Sequence, residues 1–176
     1  VYETDHVPKE WRESYEVGMF TEFMEQRAPG HTALDGKVYQ YGLLDLKERI
    51  QTGLDSLDFM NDPEATDKQE ELTAMSISCD AAILFAERHA DLADEMAMTE
   101  KDPKRAAELR RIAEVCRWVP AHAPRDYWEA IQMYWFVHLG TITEPNGWDA
   151  MNPGHFDQHL APFYEKGIAE GSLTRE

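Results

Sequence analysis

The chain has 176 residues, 34 of them acidic and 17 basic, for a formal net charge of −17. That length suits one domain, or part of a larger one. The charge argues against a nucleic-acid partner, because counterion release needs Lys and Arg clusters that this sequence lacks. No apolar run reaches the roughly eighteen residues of a membrane helix and no signal peptide opens the chain, so a cytoplasmic protein without a membrane partner is expected.

In chain order, the first irregular stretch is EQRAPGHTALDG, residues 25–36. Pro29-Gly30 cannot continue a helix, so Arg27 and His31 are presented from a turn, where side chains can converge on a ligand; an ordinary surface loop is the alternative. KVYQYG, 37–42, is the best short strand candidate. From Gly42 to Met60 the pattern predicts an amphipathic helix with Leu44, Leu46, Ile50, Leu54, Leu57 and Met60 on its apolar side. Asp62-Pro63 opens a long helix towards Met98. Leu72, Met75, Cys79, Ala82, Ile83, Ala86 and Leu92 recur there near the helical period, and the acidic residues from Glu64 to Glu100 form a solvated side.

Asp102-Pro103 opens the next helix, with Ala106, Leu109, Ile112, Ala113 and Cys116 as its buried stripe. Cys79 and Cys116 lack a CxxC or disulfide framework and read as buried thiols of a reducing compartment. A further helix opens at Pro124, with Asp126 and Glu129 favourably placed in its positive first turn. Its segment from Tyr127 to Leu139 is apolar on every side, which predicts burial all round and cover from a larger parent.

The second irregular stretch, NGWDAMNPGHFDQHL at 146–160, crowds polar groups behind that apolar helix. Trp148 anchors a turn and holds Asp149 beside it. A carboxyl emerging there is partly desolvated, which raises its pKa and suits it to proton transfer; a structural Asp capping the next turn is the equal alternative. Pro153-Gly154 turns the chain into a helix carrying His155, Phe156, Asp157 and His159. His155 and His159 have the spacing of a two-histidine metal pair, but no HExxH accompanies them, so packing and capping is preferred and no metal site is expected. The final EGSLTRE reads as the opening of another helix, with Ser172 or Thr174 as N-cap. Together with a start at Val1, it is read as part of a longer polypeptide.

Three blocks, RAPGHT at 27–32, VPAHAPRDYWEAIQMYWFVHLG at 119–140 and NGWDAMNPGHFDQHLAPFYEKGI at 146–168, resemble the glycyl radical enzymes of the pyruvate formate-lyase-like family. They are most similar to its dehydratase and lyase branches. The resemblance implies that residues 1–176 are a partial domain. It is mainly α as it stands, and part of the helical shell of a ten-stranded α/β barrel in a parent several times longer. It implies a homodimeric parent carrying a C-terminal glycyl radical, installed by an activating enzyme that uses S-adenosylmethionine and an iron–sulfur cluster.

The sequence departs from the full pattern in having no Cys-x-Glu loop and no RVxGY-like segment. Neither cysteine is expected to be catalytic, and the segment alone is expected to be inactive and to bind no cofactor. By resemblance, His31 and Asp149 serve hydrogen bonding and leaving-group protonation, Arg27 holds a substrate anion or orders its turn, and Trp148 and Phe156 wall the cavity. His31 in the first block favours the hydroxyproline dehydratase branch over the isethionate sulfite-lyase branch, where Gln is expected. Glycerol or propanediol dehydratase and formate acetyltransferase-like branches stay open. A non-catalytic acidic helical interaction module is the alternative from another class.

Overall fold

The computed structural model describes residues 8–17, 34–143 and 152–175. Six α-helices are described: α1 (Lys9–Glu16), α2 (Leu43–Asp55), α3 (Ala65–Thr99), α4 (Pro103–Trp118), α5 (Tyr127–Thr143) and α6 (Phe156–Glu170), with a 3-10 turn at Asp35–Tyr39. No strand occurs among the described residues.

The helix starts follow local chemistry. Asp102 caps α4, accepting from the Lys104 amide at 3.0 Å with Pro103 in the first helical position, where a missing N–H costs nothing. Asp126 does the same for α5 by accepting from the Glu129 amide at 2.9 Å, so that helix begins three residues after Pro124. The N-terminus of α2 rests on the loop behind α4. The Leu43 and Leu44 amides donate to the carbonyls of Pro120 and Ala121 at 2.8 and 3.0 Å, and the Asp45 carboxylate accepts from the Gly42 amide at 2.8 Å.

Helices α3 and α4 form a hairpin whose contact surface is made of small residues. The buried residues of α3 are Ala65, Cys79, Ala86, Ala90, Ala93 and Ala97; of these Ala86, Ala90 and Ala93 cluster with Ala113 and Cys116 of α4. Methyl groups let the two backbones approach closely, and Arg117 then reaches across to Asp91 and Asp94 at 2.9 and 2.7 Å. The stripe expected for α3 holds at Cys79 and Ala86 and is corrected at Met75 and Leu92, which are exposed while Ala90, Ala93 and Ala97 are buried. Helix α2 is tied to α3 by Lys47 and Asp80; its buried anchor is Leu43, Leu44 is exposed, and it ends at Asp55, short of the expected Met60, which is exposed in the turn beyond.

Two core clusters result. Ala86, Ala90, Ala93, Ala113, Cys116 and Phe136 close the α3–α4–α5 junction. Val38, Tyr39, Val115, Val119, Ala130, Met133 and Leu160 join the 3-10 turn to α4, α5 and α6. Both cysteines are buried and free, and burial pushes both thiols up from their ordinary value.

Three further expectations change. The strand candidate at 37–42 is a 3-10 turn running into α2. It is closed by Lys37 N–H donating to Leu34 O and Gln40 N–H to Lys37 O, and its β-forming residues are used as two core anchors, Val38 and Tyr39. Helix α5 buries one face only, Glu129, Ala130, Met133 and Phe136, whereas Trp128 and Trp135 are 43% and 49% exposed. The tail is a helix end. Gly171, at φ 72°, lets the Ser172 amide return to Gly167 O at 2.9 Å and the Gly171 amide to Ile168 O at 3.2 Å, the paired bonds of a Schellman stop. Leu173 folds over Gly167, where a Cβ would meet its Cδ1 at 2.6 Å.

Candidate functional site

Arg27, His31, Trp148 and Asp149 lie outside the described residues; Phe156 lies within them. What is described is the pair of chain ends that deliver both stretches, and these ends meet. Asp35, the first residue of the 3-10 turn, stands near the end of the first stretch. His159, in the first turn of α6, stands near the end of the second. His159 Nε2 and Asp35 Oδ1 are 3.2 Å apart across 124 residues of sequence. The His159 ring stacks on Tyr39 with centroids 5.4 Å apart, and Phe163 tilts against the same phenol at 6.3 Å.

The contact is tight enough to need particular residues. A Cβ at Gly36 would come within 2.9 Å of His159 Cε1, so only glycine leaves room for the imidazole. Leu34 and Asp35 have φ of 58° and 46°, a left-handed pair costing about 1–3 kcal/mol each for residues with a Cβ. On the other side, Gly154 at φ 67° turns the chain into α6, with its amide donating to Asn152 Oδ1 at 2.8 Å. Phe156, half-buried, packs against Tyr134 of α5 at 5.5 Å between ring centroids.

Among the described residues, one buried side-chain polar atom, the Tyr39 hydroxyl, is without a hydrogen-bond partner. Tyr134 Oη lies 3.2 Å from His138 Nδ1, and Asp35 and His159 hold each other. Tyr39 is 8% exposed. Burial, with Tyr134 and Asp35 nearby, pushes the Tyr39 phenol up to about 12, so it stays a protonated donor. A buried unpaired hydroxyl costs about 1–3 kcal/mol.

A second knot fixes α5 against α6 from behind. Trp118 donates its indole N–H to Ala123 O at 2.9 Å, His122 stacks on it at 4.3 Å, and the Arg125 guanidinium covers it at 4.0 Å. Arg125 also grips Glu129, a carboxylate with no exposed surface. Its carbonyl accepts from Lys166 Nζ of α6 at 3.0 Å.

Residues 3–176 match the family model described as Pyruvate formate lyase-like. The chain belongs to this family. It is 53% identical over 167 residues to trans-4-hydroxy-L-proline dehydratase from Clostridioides difficile, covering 95% of this chain and 21% of that protein. Isethionate sulfite-lyase from Oleidesulfovibrio alaskensis is 41% identical over 140 residues, covering 80% and 17%. The crystal structure of the C. difficile hydroxyproline dehydratase with trans-4-hydroxy-L-proline bound superposes with a TM-score of 0.84 at 50% identity, covering 99% of this chain and 22% of that one. The chain therefore spans about a fifth of the length of the pyruvate formate lyase-like relatives it matches.

Sequence reasoning missed Tyr39, Asp35 and the role of His159. The first was absorbed into a strand assignment. The other two meet through a long-range contact with no local pattern, although His159 had been read as packing, which is the use its stacked ring makes of it. Neither cysteine has the setting of a reactive thiol. Cys79 and Cys116 are followed by Asp80-Ala81 and Arg117-Trp118, both are buried in helices, and burial pushes both thiols up from their ordinary value, away from the nucleophilic thiolate.

Proposed function

We propose that this chain supplies one wall of the substrate pocket of a glycyl radical lyase of the dehydratase type, with a 4-hydroxyproline-like compound as first candidate substrate. The observation that supports it best is the joining of the two stretches at Asp35 and His159, in a chain so similar to a hydroxyproline dehydratase. Covalent geometry limits each extended residue to about 3.5 Å, so His31 is tethered within about 10 Å of Leu34, and Asp149 within about 10 Å of Asn152.

In this reading the hydrogen abstraction that starts the reaction belongs to a thiol and a glycyl radical outside these residues. What falls to this chain is proton handling and grip. Asp149, protonated in a partly desolvated setting, gives its proton to the departing hydroxyl, since hydroxide is a poor leaving group without one. His31 hydrogen-bonds the leaving oxygen and holds it towards that acid. Arg27 offers a planar fork to a substrate carboxylate, and Trp148 and Phe156 exclude water. The radical-installing S-adenosylmethionine activating enzyme, a homodimeric parent and a cytoplasmic location belong to the same proposal. So does the parent polypeptide covering the exposed Trp128 and Trp135 face of α5.

The test is an anaerobic assay of the full-length, activated polypeptide on trans-4-hydroxy-L-proline, isethionate, glycerol and propane-1,2-diol. Turnover of the first, with loss of at least about 100-fold in Asp149→Asn and about 10-fold or more in His31→Ala, is expected. Full activity in Asp149→Asn overturns the assignment.

A further inference from the structure

The chain leaves the first stretch through Leu34 and Asp35 in a left-handed conformation, φ 58° and 46°, which residues with a Cβ keep only when surroundings hold them there. Beside the backbone bond from the Lys37 amide to Leu34 O at 3.1 Å, one imidazole packs against this turn. His159 bonds the Asp35 carboxylate at 3.2 Å, stacks on Tyr39 at 5.4 Å and fills the space over Gly36 that a Cβ would contest. His159 also sits one turn into α6, the helix that the second stretch feeds through Gly154 and His155.

We propose that His159 is a positioning residue, latched to Asp35 so that the two stretches bearing His31 and Asp149 are held at a fixed separation. The inference rests on the roles of His31 and Asp149 proposed above. In this role His159 acts through the strained pair at Leu34-Asp35, by its contacts with Asp35, Tyr39 and Gly36. Proton transfer to a leaving group tolerates little displacement, and a shift of about 1 Å can cost about 100-fold in rate.

The experiment uses four variants of the full-length activated enzyme. His159→Phe keeps a ring against Tyr39 but cannot bond Asp35. Asp35→Gly keeps left-handed freedom but removes the acceptor. Asp35→Asn tolerates the left-handed backbone and offers an amide oxygen to His159, and Asp149→Asn reports on the site itself.

His159→Phe and Asp35→Gly are expected to lower kcat about 10- to 100-fold with KM changed less than about threefold, while the melting temperature stays within a few degrees. Asp35→Asn is expected to recover kcat to within about threefold of the parent. Normal kcat in both latch variants with an inactive Asp149→Asn overturns the positioning role. So does failure of Asp35→Asn to rescue, or a kcat loss that tracks loss of folded enzyme. Surviving activity in Asp149→Asn removes the site assignment and this inference with it.

Discussion

Arg125 and Glu129 stand one helical turn apart, and the guanidinium closes on a carboxylate with no exposed surface, Nε lying 3.1 Å from both oxygens while the Arg125 amide donates to Oε2 at 2.7 Å. The bond to Glu129 raises the Arg125 pKa above its ordinary value. Removing the cation strands a buried charge, the expensive half of such a pair.

Arg125→Ala is therefore expected to destabilise the chain by about 2 kcal/mol, less than for a fully buried pair because the guanidinium is half-exposed to solvent. Arg125→Lys is expected to recover little, lacking the fork. The double variant Arg125→Met with Glu129→Leu is expected to recover most of it. Urea unfolding midpoints measure all three, and an Arg125→Ala midpoint equal to the parent's removes the argument.

At Gly42 the constraint is backbone against backbone. A Cβ there would lie 2.2 Å from the Ala121 carbonyl oxygen and 2.4 Å from His122 Cα, and neither can swing aside as a side-chain end would. Gly42→Ala is expected to break the two amide bonds from α2 to Pro120 and Ala121 and to cost about 2–4 kcal/mol. Gly53→Ala is the control, because its neighbours are the flexible methyls of Leu72 at 3.2 and 3.6 Å. Thermal denaturation of the two variants side by side decides it.

These cases mark where sequence is readable. Asp102-Pro103 announced α4 because capping is settled within three residues. The Gly- and Pro-broken stretches around His31 and Asp149 stood out because polar density beside an apolar helix is also local. The alanine line of α3 was hidden, since periodicity weighs Met75 and Leu92 above methyl groups, and the close approach of α4 is decided by the partner helix. Val38 and Tyr39 had strand composition, yet the left-handed pair before them and the core beneath set a 3-10 turn. The His159 latch needs two segments 124 residues apart, which one sequence alone does not bring together.

Tyr39 gives a prediction with the opposite sign to most core substitutions. Its hydroxyl is buried without a partner among the described residues, so Tyr39→Phe in the 176-residue chain is expected to be neutral or to stabilise by about 1 kcal/mol. The folded-state pKa is about 12 against the ordinary 10.0. Below pH 10 both folded and unfolded forms keep the proton, so stability is unaffected. Between pH 10 and 12 the unfolded chain loses it first, and stability falls as pH rises. The parent is expected to lose about 2 kcal/mol across that window from this group, and Tyr39→Phe to be spared that part. Unfolding curves at pH 9.5 and 11.5 provide the comparison; identical losses in both proteins exclude the assignment.

The exposed side of α5 leads to a prediction about association. Trp128, Ile131 and Trp135 follow each other at helical spacing on one face, 43%, 38% and 49% exposed, while Met133 and Phe136 on the opposite face are buried in the two core clusters. Large apolar residues gathered on one exposed helix face mark a surface that is normally covered. The isolated 176-residue chain is expected to self-associate in a concentration-dependent way despite its net charge of −17. Trp128→Glu with Trp135→Glu is expected to return it to monomer at a cost of no more than about 1 kcal/mol, because neither indole is deeply buried in the chain alone. In the longer parent polypeptide proposed above the same pair is expected to destabilise by several times that amount, since there the indoles would be sealed under the rest of the chain and a buried carboxylate has no partner. Sedimentation velocity on the short chain and thermal melts on the long one read the two outcomes, and a double variant that leaves the long chain's stability unchanged shows that this face is open to water in both.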